Sequence, residues 1–151
     1  MMPETSATAR RGPASLYASL RGRLGIRRIR SDRDLVDLVE KRLPANTIRS
    51  LVSSGLSDAE VYQLIVPRRT LAHRLTKHQL LSTEESDKAV RVARITALVE
   101  QVFGEGERAW RWIRKPKRQF GGKSPIAMLA TEAGARLVED LLIRIDDGIA
   151  A

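Results

Sequence analysis

The chain has 151 residues, a formal net charge of +9, no cysteine and two histidines. Without cysteine it can hold neither a disulfide framework nor a thiolate metal site, and His73 and His78 are spaced so that they would not share one helix face as a ligand pair. No apolar segment approaches the roughly 20 residues of a membrane span, and no secretory signal begins the chain. We therefore expect a soluble, cytoplasmic protein that contacts no membrane and binds no metal or cofactor.

The positive charge is concentrated at the amino terminus. Residues 1–33 contain eight arginines against Glu4 and Asp32, which is a net +6 of the total +9. This composition predicts a flexible basic arm, which we place at residues 1–23. The arm is either a solvated leader or a contact for nucleic-acid phosphates. An organellar transit peptide is disfavoured, because the sequence after Leu24 continues into the domain without a cleavage-like site.

Helix boundaries can be placed from serine caps, glycines and prolines. Three serines are each followed by an acidic residue three positions later, a pattern typical of a helix start: Ser31 with Asp34, Ser57 with Glu60, and Ser82 with Glu85. With the breaks between them, this pattern predicts helices over residues 31–43, 45–53, 57–65, 68–77 and 82–103. No alternating strand pattern of useful length is present, so we expect an all-α fold.

Residues 45–77 contain the ingredients of a helix-turn-helix, namely two short helices around a glycine-containing turn and a third, basic helix. At about 100° per residue, the third helix turns Leu71, Ala72 and Leu75 inward. Its outward and edge positions carry the candidate DNA-binding residues, which are Arg68, Arg69, Thr70, His73, Thr76 and Lys77. Arginine is the commonest reader of guanine edges. The same spacing also describes helical bundles that bind no DNA, and this alternative stays open.

Residues 108–123 carry seven basic side chains and no acid, with Trp110 and Trp112 among them. Because the two rings would lie about 200° apart on a helix, we expect one to pack in the core and the other to be partly exposed. Packing is the favoured role, and stacking of the exposed ring on nucleic acid is the alternative.

The carboxyl-terminal segment is the most informative part of the chain. Ser124, with Pro125 at the first helical position, begins a short helix, and a longer helix runs from about Thr131 to Asp147 before Gly148 ends it. The longer helix has one apolar stripe, formed by Val138, Leu141, Leu142 and Ile145. Residues 124–151 carry two basic and five acidic side chains, which suits a protein partner better than DNA.

This segment resembles the toxin-binding domain of the MbcA/ParS/Xre antitoxins, the partners of RES-domain toxins. The matching residues are Phe120-Gly121-Gly122, Ser124-Pro125, Leu129, Thr131-Glu132-Ala133-Gly134-Ala135, Val138, Leu142, Arg144-Ile145 and Gly148. The earlier part is similar to the helix-turn-helix of the same antitoxins, through Pro67-Arg68-Arg69-Thr70-Leu71, Leu81-Ser82, Glu85-Ser86, Ala109 and Trp112.

The resemblance implies a helix-turn-helix domain at residues 24–81 and a helical toxin-binding domain at residues 82–151. It implies an antitoxin that neutralises a RES-domain toxin, which degrades NAD or transfers its ADP-ribose, and that binds operator DNA to repress its own operon. A homodimer and a hetero-oligomer with toxin are expected. The candidate toxin-binding residues are Arg136, Asp140, Arg144, Asp147, Gly148, Ile149, Ala150 and Ala151. The tail lacks a polar or aromatic group, so the side chain that enters the toxin's nucleotide pocket is left open.

Two other classes of protein compete with the antitoxin interpretation. A helix-turn-helix regulator or nucleoid-type protein without a toxin would have no use for an apolar carboxyl-terminal tail. An enzyme is disfavoured, because the sequence offers no catalytic residues in the form of a nucleophile with an oriented base, a metal cluster or a phosphate-binding glycine loop. The glycine pairs in this chain have the character of helix breaks.

Overall fold

A computed structural model describes residues 12–104 and 106–148. Over these ranges the chain forms nine α-helices, one 3-10 helix at Arg118–Phe120, and one isolated bridge between Pro44 and Leu80. The α-helices are α1 Pro13–Leu24, α2 Asp32–Lys41, α3 Thr47–Ser53, α4 Asp58–Leu64, α5 Arg68–Thr76, α6 Thr83–Phe103, α7 Glu107–Arg114, α8 Pro125–Met128 and α9 Glu132–Asp146. The predicted all-α fold is confirmed. None of these helices combines the length and the apolar composition needed to cross a bilayer.

The prediction of a flexible arm at residues 1–23 is wrong for the part that the structure describes. Residues 13–23 belong to α1, which ends at Gly25 in the left-handed region, at φ 67°. Leu20 and Leu24 are fully buried, and α1 packs against α3 and α6. The high arginine content obscured the apolar spacing of this helix. Residues 1–11 lie outside the described residues.

Arg23 shows how α1 accommodates one of its arginines in the interior. Its side chain is 4% exposed and forms an ion pair with Glu100 of α6, with 2.5 Å between Nη2 and Oε1. The same guanidinium donates to the hydroxyls of Ser19 and Ser54. A charge can be buried when it is paired and hydrogen-bonded in this way. Arg23 is therefore part of the core and not part of a phosphate-binding arm.

The predicted helix starts are confirmed by hydrogen bonds at each cap. The hydroxyl of Ser31 accepts from the Asp34 amide. Reciprocal capping boxes join Ser57 to Glu60 at α4 and Ser82 to Glu85 at α6. Near the carboxyl end, Ser124 caps α8 with Pro125 at its first position, and Thr131 caps α9.

The long helix α6 organises the fold. It packs against α1, α2 and α4 on the amino-terminal side and against α7 and α9 on the carboxyl-terminal side. Six of its buried apolar residues belong to one apolar core that extends from Leu20 in α1 to Leu142 in α9. The predicted boundary between residues 81 and 82 precedes this shared helix, and the two halves are thus held by common packing.

Candidate functional site

The helices α4 and α5 form the pair on which a helix-turn-helix depends. Ile65, Val66 and Pro67 connect them, and the first two side chains are 3% and 1% exposed. The amides of Ile65 and Val66 both donate to the carbonyl of Val61. A short, buried and hydrogen-bonded turn fixes the second helix relative to the first.

The inner face of α5 differs in one residue from the prediction. Leu71 is buried and Leu75 is half-buried, as expected, but Ala72 is exposed. Arg74 takes the remaining inner position because its guanidinium pairs with Glu85 of α6, with 2.7 Å between Nε and Oε1. Burial raises the pKa of Glu85, but hydrogen bonds from Ser82 and Arg74 outweigh it, so the net pKa is lowered. This ion pair fastens α5 to α6.

The outer face of α5 presents five of the six candidate DNA-binding residues to solvent. These exposed residues are Arg68, Arg69, His73, Thr76 and Lys77. Thr70 is half-buried, and the Thr76 hydroxyl donates to the Ala72 carbonyl at 2.9 Å. No acidic residue occurs in residues 61–83. The result is an exposed cationic face at the start and along the outer side of α5.

The last helix, α9, offers a different surface. Val138, Leu141 and Leu142 are buried, which confirms the predicted apolar stripe, and Ile145 is half-buried. All the candidate toxin-binding residues that the structure describes are exposed, namely Arg136, Asp140, Arg144, Asp147 and Gly148. The candidates Ile149, Ala150 and Ala151 lie outside the described residues.

Two apolar residues on α9 were missed by the sequence analysis. Leu137 and Ile143 are 51% and 53% exposed, and they flank the charged residues of the outer face. Their signal in the sequence is that each is apolar yet lies off the buried stripe of an amphipathic helix. The outer face of α9 therefore combines apolar side chains with charges of both signs.

The position of α9 is fixed by ion pairs and by a close backbone approach. Arg94 of α6 forms a two-pronged ion pair with Glu139, with distances of 3.0 and 2.5 Å. A Cβ atom added to Gly134 would overlap the backbone oxygen of Met128. Only glycine fits at this point, which gives a structural reason for the glycine in the motif around Thr131.

The two tryptophans join α7 to its neighbours, and neither is fully buried or highly exposed. The ring of Trp112 lies 4.9 Å from that of Phe103. Trp110 lies so close to Gly55 that a Cβ atom added to this glycine would overlap the indole. Both rings are partly exposed and pack against the edge of the core, so the predicted partial exposure holds for both rings and neither is fully enclosed.

Arg114 forms a link between α7 and α4 that sequence analysis did not predict. Its guanidinium binds both carboxylate oxygens of Glu60, at 2.8 and 3.1 Å, and donates to the Gly55 carbonyl at 2.8 Å. Burial raises the pKa of Glu60, but the bonds from Arg114 and Ser57 prevail and the net pKa is lowered. The pKa of Arg114 is raised by the same bond with Glu60.

Comparisons with known proteins agree with this division into two surfaces. Residues 34–94 match the antitoxin Xre-like helix-turn-helix domain, and residues 98–148 match the antitoxin Xre/MbcA/ParS C-terminal toxin-binding domain. The first match begins within α2 and runs through α3, α4 and α5 into α6, and the second begins near the end of α6 and contains α7 to α9.

Several similar proteins are named as antitoxins. Antitoxin Xre from Pseudomonas putida is 37% identical, over 87% of this chain and 82% of that protein. Antitoxin Xre from Yersinia enterocolitica is 30% identical, over 76% of this chain and 80% of that protein. A protein from a Sphingobium species, named "Prs ADP-ribosylating antitoxin", is 25% identical, over 76% of this chain and 79% of that protein. The chain therefore belongs to the Xre family of antitoxins, with an Xre-like helix-turn-helix domain followed by an Xre/MbcA/ParS toxin-binding domain.

Proposed function

We propose that this chain is the antitoxin of a RES-domain toxin and that it represses its own operon through α4 and α5. The observation that carries the proposal is the composition of the outer face of α9, where Leu137 and Ile143 are half-exposed beside Arg136, Asp140 and Arg144. A surface that combines apolar side chains with charges of both signs is typical of a protein interface.

Neutralisation takes place by covering the toxin's active site. The outer face of α9 binds the toxin, and residues 149–151 enter the nucleotide pocket and exclude NAD sterically. Gly148, at φ 73°, lets the chain change direction where the helix ends. Burial of the Ile149 side chain in the toxin contributes about 1.5 to 3 kcal/mol.

The toxin's reaction is NAD degradation or ADP-ribosylation of another protein. The name of the Sphingobium relative combines antitoxin with Prs ADP-ribosylation, which supports the second reaction. In either case the antitoxin acts by occupying the site and needs no catalytic group of its own. Because the proposed toxin and operator DNA are both in the cytoplasm, this function takes place there.

DNA binding relies on α5 as the recognition helix. Its exposed Arg69 and His73 face the base edges of the major groove, while Arg68 and Lys77 contact phosphates. Their exposure and the lack of acid in residues 61–83 support this arrangement. A homodimer would place two such helices on the half-sites of an inverted repeat, and toxin binding would add to this dimer as a hetero-oligomer.

Co-expression with the protein encoded by the gene beside this one tests the toxin half of the proposal, which requires that protein to carry a RES domain. We expect the two proteins to purify together and the full chain to restore growth of cells that make the toxin. Removal of residues 148–151 should leave a folded protein that binds DNA but protects poorly. The matched control is Arg69→Ala, which should protect fully.

Two results would contradict parts of the proposal. If the truncated chain protects as well as the full chain, neutralisation comes from the outer face of α9 alone. If the full chain neither binds the toxin nor restores growth, the proposal is wrong.

A further inference from the structure

The segment between α7 and α8 has a fixed conformation and an unusual charge. We call residues 115–123 the basic loop. The Lys117 amide donates to the Lys123 carbonyl and the Gly122 amide donates to the Lys117 carbonyl, both at 3.0 Å, so the loop closes on itself. Gly121 and Gly122, at φ 64° and 87°, supply the left-handed backbone that this closure needs. The loop is therefore preorganised.

Within residues 12–104 and 106–148, the positive charges of the basic loop have no acidic partners. Lys115, Arg118 and Lys123 are exposed and form no ion pair with the part of the chain that the structure describes. Lys117 is half-buried, with its Nζ 5.0 Å from the centre of the Trp112 ring. Burial, followed by the charge of Lys115, lowers the pKa of Lys117. Residues 108–131 contain no acid, so the loop is a concentrated positive charge.

The basic loop is anchored to the helix-turn-helix. Arg114, the last residue of α7, precedes the loop directly and holds Glu60 in the first turn of α4 and the carbonyl of Gly55. Trp110 packs against Gly55 from the same helix. In a docked helix-turn-helix, the first helix of the pair crosses the DNA backbone. The anchor thus fixes the residue that precedes the loop against the first turn of α4, near the expected path of the phosphates.

We propose that the basic loop is a second DNA contact, which binds backbone phosphates beside the base pairs read by α5. This inference rests on the proposed binding of DNA by α4 and α5. The contact is independent of sequence, because lysine and arginine on phosphates carry no base information. It makes the toxin-binding domain part of the DNA-bound surface, so operator affinity depends on both halves of the chain.

The test compares two variants that each remove two exposed charges. The first is Lys115→Gln with Arg118→Gln in the basic loop. The second is Arg136→Gln with Arg144→Gln on α9. The probes are a duplex from the promoter region upstream of this gene and a scrambled duplex of equal length, each titrated over a range of KCl concentrations. The midpoint of thermal unfolding checks that both variants keep the fold.

The loop variant should reduce the slope of log affinity against log salt by about 0.9 for each phosphate that is no longer neutralised, or by about 1.8 in total. Its preference for the promoter duplex should be unchanged, and the α9 variant should keep the slope of the natural chain. Each single loop substitution should give about half of the change.

Three outcomes would overturn the inference. If the natural chain shows no preference for the promoter duplex, the proposed DNA binding fails and the inference fails with it. If the natural chain does show the preference and the loop variant keeps its salt slope, only the inference fails. If the loop variant keeps the slope but binds the RES-domain protein more weakly, the loop contacts an acidic protein surface instead of DNA.

Discussion

The outer faces of α5 and α9 differ in chemistry although both helices are exposed and both are tied to α6. The α5 face carries arginine, lysine and histidine in a segment without acid. The α9 face alternates Arg136, Asp140 and Arg144 and adds half-exposed Leu137 and Ile143. Charge of a single sign suits a polyanion, whereas mixed charge with apolar area suits a folded protein. The difference shows how one small core can serve two kinds of partner.

Each face is fixed by its own ion pair on α6. Arg74 pairs with Glu85 at the α5 side, and Arg94 pairs with Glu139 at the α9 side. Since the two pairs share no residue, changes on one outer face should leave the other face in place.

The largest effect is expected for Arg69→Ala. Loss of an arginine that reads a base edge should weaken operator binding by about 1 to 3 kcal/mol, or about 5-fold to 150-fold. Titration of the promoter duplex at fixed salt measures the change, and circular dichroism checks the fold. Arg144→Ala removes the same charge from α9 and should leave operator affinity as it was. An unchanged affinity for Arg69→Ala would remove α5 from the role of recognition helix.

The next largest effect is expected for Gly134→Ala. The added methyl group would collide with the Met128 carbonyl, and the overpacking should exceed the gain in helix propensity by about 1 to 2 kcal/mol of unfolding free energy. Urea unfolding measures the loss. Gly22→Ala is the matched control, because Gly22 also lies in a helix but has open space at its Cβ position.

The same Gly134→Ala variant bears on the comparison of the two faces. Toxin binding should weaken while operator binding by α5 persists. If the variant is as stable as the natural chain, α8 can move away from the added methyl group without loss of stability. The packing of α9 against α8 would then be looser than the close approach of Gly134 to Met128 implies.

A smaller effect is expected for Leu137→Ala on α9. The Leu137 side chain is already about half buried in the free protein, so a partner can bury only the other half. Toxin affinity should therefore fall by about 1 kcal/mol, or about 5-fold. Val36→Ala is the control, because Val36 on α2 is equally exposed. Calorimetric titration with the RES-domain protein distinguishes the two variants. Equal affinities would mean that the α9 face does not lie in the interface.

The smallest effect is expected for Glu60→Gln, which tests the link between α4 and α7. The lowered pKa of Glu60 means that its contribution to stability is present above the unfolded value of about 4.3 and is lost as pH falls through the lower folded value. At pH 7 the variant should lose at most about 1 kcal/mol, since Arg114 is partly exposed.

The difference between Glu60→Gln and the natural chain should shrink below about pH 4. Unfolding by urea at pH 7 and at pH 3 measures the two differences. A difference independent of pH would contradict an ionic origin of this link.

Much of the fold could be predicted from the sequence because its signals are local. A serine cap and an acid three residues later lie in one turn of helix, so Ser57 and Ser82 marked α4 and α6 correctly. The same holds for Ser124 before α8. The exposed positions of α5 were also mostly predictable, because helical periodicity determines which side chains share a face.

The links between distant segments could not be predicted in this way. The pairing of Arg114 with Glu60 and of Arg23 with Glu100 depends on tertiary packing. The arginine content of residues 1–23 predicts a flexible arm that includes Arg23, whereas burial of Leu20 and Leu24 holds this part of the chain as a helix. Gly134 did carry a signal, since glycine inside a helix is unfavourable and indicates a close backbone approach.

The most direct test of the two-face account is a crossed binding measurement. Operator affinity and toxin affinity are determined on the same preparations of Arg69→Ala and of the chain that lacks residues 148–151 and carries Leu137→Ala. We expect the first variant to lose operator binding and keep toxin binding, and the second to lose toxin binding and keep operator binding. Loss of both affinities in either folded variant would contradict the separation of the two functions on α5 and α9.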